Sequence, residues 1–170
     1  MKKRKRKILK IPILIFLVAL LAIFTQYNNF EVSNKDKVEV SNMEKAIVTK
    51  VIDGDTIIVE GGRHVRLLGI DADEKGYPCY DEAKKRLEEL VLNKEVYLER
   101  DIEDKDQYGR YLRYVFIEDN GTMENINLKM VKEGLVVARI YGKIKYKDEI
   151  IDAEKYAMKN RIGCKWNKSE

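Results

Sequence analysis

The sequence predicts an α+β domain, a small closed sheet carrying three helices, preceded by an N-terminal hydrophobic helix. Three observations predict it. Short runs rich in Val, Ile and Tyr, separated by turns containing Gly and Asp, fill much of residues 46–117. Three other stretches repeat their apolar residues at helical spacing. At the N-terminus a basic cluster runs into an apolar stretch, the pattern of an export signal or membrane anchor.

Seven of the first ten residues, Met1 to Lys10, are Lys or Arg. The apolar stretch Ile11 to Phe24 follows, 14 residues broken only by Pro12. Its length suits a signal-peptide core better than a transmembrane helix of about 20 residues. With Ile8 and Leu9 added and Lys10 snorkelling, it spans a locally thinned bilayer. No small-x-small cleavage pattern follows at Ile23, Phe24 and Thr25, which favours an uncleaved anchor over a removed signal. In both cases the basic cluster stays inside, and the body is membrane-anchored on the extracytoplasmic side or secreted. The chain therefore divides into a signal peptide or anchor (1–24), a polar linker (25–44) and a folded body (45–170). The linker lacks periodicity and repeats Glu-Val-Ser-Asn at 31–34 and 39–42, as a duplicated spacer does.

Within the body, Ala46–Val48 and Val51–Ile52 form a first strand that Asp53-Gly54 turns. Thr56–Val59 is a second strand, Gly61-Gly62 a hairpin signal, and His64–Ile70 a third strand. Asp81 caps a helix with Ala83, Leu87, Leu90 and Val91 on one face. Glu95–Leu98 and Tyr111–Ile117 are further strands. Asn120-Gly121 turns into a helix with Ile126, Met130 and Val131 inward and Gly134 as its stop. A last helix runs from Lys147 to Arg161, with Ile150, Ala153 and Ala157 on one face and Gly163 as the stop.

Charge and rare residues exclude several functions. The net charge of +4 is carried by the N-terminal cluster, so the remainder of the chain is at −3. The body is no general polyanion-binding surface, and any phosphate binding must come from local arginines and a bound cation. A single histidine, His64, excludes mechanisms that need a histidine pair. Two cysteines cannot build a four-cysteine zinc site. Those cysteines, Cys79 before the first helix of the body and Cys164 after the last, suggest a disulfide in an exported domain; two buried free thiols are the alternative.

Three segments concentrate the chemistry: Ile52-Asp53-Gly54-Asp55-Thr56, then Arg66 through Asp71-Ala72-Asp73-Glu74, then Asp106-Gln107-Tyr108-Gly109-Arg110. Hard carboxylate oxygens suit Ca²⁺ or Mg²⁺, and arginine forks suit phosphate oxygens. Arg66 lies among Leu67, Leu68 and Ile70, so it needs an internal partner. Arg110 follows a tight turn able to present it. Each residue alone is an ordinary surface or turn residue; their order, spacing and intervening glycines make the signal.

This set resembles the thermonuclease family, the staphylococcal-nuclease-like nucleases, over about Lys45 to Trp166. The motifs are D-G-D-T, R-x4-D-x2-E, Y-G-R and a late Gly-x-x-Trp. The resemblance implies a five-stranded OB-fold-type β-barrel with three α-helices. It implies Ca²⁺ held by Asp55, Asp71 and the backbone carbonyl of Ala72. Arg66 and Arg110 become a phosphate clamp, and Glu74 a general base or water-orienting group. Tyr108 and Tyr141 match positions near the bound nucleotide. The implied activity is Ca²⁺-dependent hydrolysis of DNA and/or RNA to 3′-phosphate products, by a monomer. The alternative is an idle OB-type module that binds nucleic acid or protein at the membrane. Such a module has no use for the full set of acids and arginines, and this chain keeps it. Two departures stand out. Ala72 replaces the family's frequent Thr, harmless where the ligand is a carbonyl. Asp73 replaces the usual Pro, which frees the loop and adds a negative charge beside an anionic substrate.

Overall fold

Residues 43–167 are described in the computed structural model; the expected N-terminal helix and most of the linker lie outside them. No helix among the described residues is long and apolar enough to cross a membrane.

Five strands close the sheet. β1 (Glu44–Val51) pairs antiparallel with β2 (Thr56–Val59), and β2 pairs with β3 (Arg63–Leu67). On its other edge β1 pairs with β5 (Glu95–Lys105), which pairs with β6 (Tyr111–Asp119). A parallel pairing of β3 with β6 joins the ends, with Val65 opposite Tyr111 and Leu67 opposite Arg113. Closure leaves no free edge among these five strands over the paired stretches. Alternating residues of the strands fill the interior. Val48, Ile57, Val59, Val65, Leu67 and Val96 are each no more than 1% exposed.

The strand expected over His64–Ile70 ends at Leu67. Gly69 has φ +82°, and a Cβ there would come within 2.6 Å of the Ile150 side chain. The left-handed turn breaks the ladder. Ile70–Asp71 becomes a separate strand, β4, which pairs with β8 (Val137–Ala138), a strand the periodicity did not reveal. The turn at Asn120-Gly121 likewise leads into a short strand, β7 (Thr122–Asn125), before the helix starts. Gly61-Gly62 lies in a single 3-10 turn.

The helices follow their apolar faces. In α1 (Tyr80–Val91) Ala83, Leu87, Leu90 and Val91 are buried, as the spacing predicts. Asp81 sits inside the first turn and does not cap it; Cys79 holds the cap position, and Asp81 acts there only through the helix dipole. Asn125 caps α2 (Ile126–Lys132) by accepting from the Leu128 N–H. The last predicted helix, α3 (Lys147–Lys159), buries Ile150 and Ala157, while Ala153 is only partly covered. It ends two residues short of Arg161, and Gly163 opens a fourth, one-turn helix, α4 (Gly163–Trp166).

Two fastenings hold the helices to the barrel. Asn127 is fully buried; its Nδ2 donates to the Leu68 and Arg113 carbonyls, and its Oδ1 accepts from the Val115 N–H at 3.0 Å. A buried amide pays no desolvation penalty only when its groups are paired in this way. Cys79 and Cys164 form a disulfide with Cα atoms 5.5 Å apart, closing a separation of 85 residues. A loop of that length gives about 4–5 kcal/mol on the chain-entropy account. Reduction should lower the unfolding temperature measured by circular dichroism, and a Cys79→Ser/Cys164→Ser variant should unfold at the reduced temperature and ignore reductant. An unchanged melting curve on reduction would contradict this role.

Candidate active site

Barrel closure and the β4–β8 ribbon bring the predicted residues together. In the β2–β3 pairing Thr56 lies opposite Arg66, so Asp55, one residue earlier, meets the Arg66 guanidinium. Arg66 Nη2 lies 3.1 Å from Asp55 Oδ2 and 2.7 Å from Asp71 Oδ1. Its Nη1 donates to the carbonyls of Leu67 and Ile70. The internal partner that an arginine in so apolar a strand requires is thus a pair of carboxylates. Asp55 Oδ2 also accepts from the Ala72 N–H at 2.7 Å, and Asp55 Oδ1 accepts from the Thr56 hydroxyl.

Asp55 is the most buried acid of the set, 5% exposed. Burial pushes its carboxyl up to about 6, against the opposing pull of Arg66 and the Ala72 N–H. Two carboxylates converging on one nitrogen, one of them lacking full compensation, form a donor set suited to a hard cation. Among the described residues no three His, Cys, Asp or Glu side chains make a ready cage. Asp55 and Asp71 alone are two carboxylate donors, so a cation here would need its other ligands from groups besides acidic side chains.

Arg110 is built by its turn. Asp106 Oδ1 accepts from the N–H groups of Tyr108 and Arg110, and Asp106 Oδ2 accepts from Arg110 Nε at 2.7 Å. Burial works to raise the Asp106 carboxyl, but these hydrogen bonds outweigh it and hold it below the usual range. Gly109 supplies the positive φ, +81°, that closes the turn. With Nε tied down, both Arg110 Nη groups have no hydrogen bond among the described residues, so their donors remain for a ligand.

Arg66, Asp71, Tyr108, Arg110 and Tyr141 line one open cavity of about 630 Å³. Tyr108 and Tyr141 are 75% and 70% exposed, with faces available for stacking. Glu74 is exposed on the loop after β4 and does not line the cavity; its carboxylate has no partner among the described residues. Cys79 and Cys164, in the bridge already described, do not line the cavity. The third segment contains Asp106, to which the motif assigned no role; the structure makes it the anchor of Arg110. Motif reading missed one residue of the cavity. Arg139 lines the same cavity, donating to Asp71 Oδ2 at 3.0 Å and to the Tyr141 hydroxyl at 2.6 Å. Only the β4–β8 pairing places it there, and no local pattern could have shown it.

A raised carboxyl in the folded state contributes stability below the unfolded value near 3.8 and loses it as pH rises through about 6. Without metal, the parent should therefore lose stability relative to Asp55→Asn between pH 4 and 7, by an amount on the order of 3 kcal/mol. Urea unfolding of both proteins in chelator checks this; parallel pH profiles would contradict it.

The chain is similar in sequence to known proteins. The family described as staphylococcal nuclease homologue matches residues 64–168. A thermonuclease of Staphylococcus intermedius is 36% identical over 160 residues, covering 88% of this chain and 93% of that protein. A thermonuclease of Staphylococcus hyicus is 36% identical over 129 residues, 70% of this chain and 74% of its own length. A micrococcal nuclease of Shigella flexneri is 36% identical over 125 residues, covering 68% and 70% respectively.

Proposed function

The chain belongs to the staphylococcal nuclease homologue family, and from that premise we propose that it is a calcium-dependent endonuclease. Its substrates are the phosphodiester bonds of DNA and/or RNA, and its products carry 3′-phosphates. The observation that carries this reading is the common rim on which Arg66, Asp71 and Arg110 meet, with buried Asp55 behind Arg66.

Asp55, Asp71 and the Ala72 carbonyl would hold the calcium ion. When bound, that ion supplies positive charge to the phosphate and acidifies a water. Arg110 offers its two unengaged Nη groups to the phosphate oxygens. Arg66 offers Nη2, the nitrogen shared between the two carboxylates. Guanidinium groups at this point favour the pentacoordinate transition state over the ground state, because charge grows on the equatorial oxygens as water attacks. Glu74 accepts the proton of the attacking water or orients that water. Tyr108 and Tyr141 carry the flanking nucleotide on their exposed faces. The protein acts as a monomer. The basic and apolar N-terminal segment, 1–24, anchors it with the catalytic body outside the cytoplasm or directs its secretion, and residues 25–44 act as tether.

Cleavage of single-stranded DNA by the purified chain should require Ca²⁺ and stop in chelator. Arg66→Ala and Arg110→Ala should each lower kcat by about 10²–10³, the scale of a lost transition-state donor. Arg110→Ala should melt like the parent, because a turn residue contributes little packing. Full activity in chelator would remove the metal from the mechanism. Parent rates in both arginine variants would leave an idle OB-type binding module.

A further inference from the structure

The loop between β4 and α1 carries Glu74, yet no described side chain holds Glu74 itself. Its position is inherited from its neighbours. Ala72, two residues before it, is fastened to Asp55 through the N–H bond at 2.7 Å. Asp73, directly before it, is fastened twice. Asp73 Oδ1 pairs with Lys165 Nζ, and Asp73 Oδ2 accepts from the Cys79 N–H at 3.1 Å. The side chains of this pair are only 15% and 20% exposed, so solvent screens it less than a surface ion pair.

Lys165 is itself well anchored. It lies in α4, and its backbone N–H donates to the Gly134 carbonyl at the end of α2. Its neighbour Cys164 is bonded to Cys79. One short helix therefore grips the Glu74 loop at two points, by charge at Asp73 and by covalent bond at Cys79. α2 is in turn joined to α1 by a bidentate Arg86–Glu133 pair at 2.7 and 2.9 Å. Asp73 thus arrives with its own counter-charge, and the pair ties the loop by a cross-link.

We propose that Asp73 and Lys165 are positioning residues for Glu74, holding its carboxylate where the attacking water must be met. The proposal rests on the reading of Glu74 as base or water-orienting group. Misplacing a reacting group by about 1 Å costs up to about 10²-fold in rate. In the full chain, Lys165→Ala should lower kcat on single-stranded DNA about tenfold while KM stays within about twofold. Lys165→Arg should recover most of the loss. Asp73→Asn, isosteric and still able to accept from the Cys79 N–H, should reproduce the loss without unfolding the protein. The decisive comparison is made in a Glu74→Gln background. There Lys165→Ala and Asp73→Asn should change kcat by less than about twofold, since the group they position is gone. Parent kcat in both Lys165→Ala and Asp73→Asn, or equal losses in the two backgrounds, overturns the proposal and leaves the role of Glu74 standing. Parent-like cleavage by Glu74→Gln overturns both.

Discussion

One guanidinium organises the site. Arg66 Nη2 lies within hydrogen-bonding distance of Asp55 and Asp71, and Nη1 holds the carbonyls of Leu67 and Ile70. Arg66 offsets the repulsion between Asp55, which precedes β2, and Asp71, which ends β4. The arginine keeps the acids together and leaves the site tuned to positive charge. Burial pushes Asp55 up to about 6, and Arg66 and the Ala72 N–H oppose that push.

Everything around Arg66 places that guanidinium. The β2–β3 register sets Asp55 beside it. The parallel β3–β6 closure puts Leu112 opposite it, so that Arg110 arrives at the same end of the barrel. The glycine turn at Gly69 takes Asp71 out of the barrel sheet into the β4–β8 ribbon, where Arg139 meets it from the far side. Buried Asn127 holds the Leu68 and Arg113 carbonyls in one cluster, which fixes the strand ends carrying these residues. The tyrosines at 108 and 141 stay outside this frame, each ring 5.5 Å from an arginine, as an exposed rim.

Much of this was legible in the sequence, and the reasons are local. Thr56–Val59 follows from a β-branched run bounded by turns, and the buried face of α1 from 3.6-residue spacing; neither needs tertiary information. The acids and arginines were visible because the motifs keep fixed separations within single turns. What stayed hidden depended on distant pairing. β8 is two residues long, too short to show a period, and exists because β4 lies against it. Arg139 reaches the cavity by that pairing alone. The link from Lys165 to Asp73 spans nearly the whole body, so neither residue signals the other. Asp81 looked like a cap because capping residues and first-turn acids share one composition; the backbone at Cys79 decides between them. The cysteine pair was suggested by number and compartment, and the fold supplies the 5.5 Å approach that composition cannot.

The central claim is that Asp55 and Asp71 form one cation site around Arg66. Calcium titration calorimetry on the parent, Asp55→Asn, Asp71→Asn and the double variant tests it most directly. One shared site predicts that either single change removes nearly all measurable binding, with little further loss in the double variant. Single variants that each keep one binding event of near-parental affinity, with losses adding in the double variant, would contradict it.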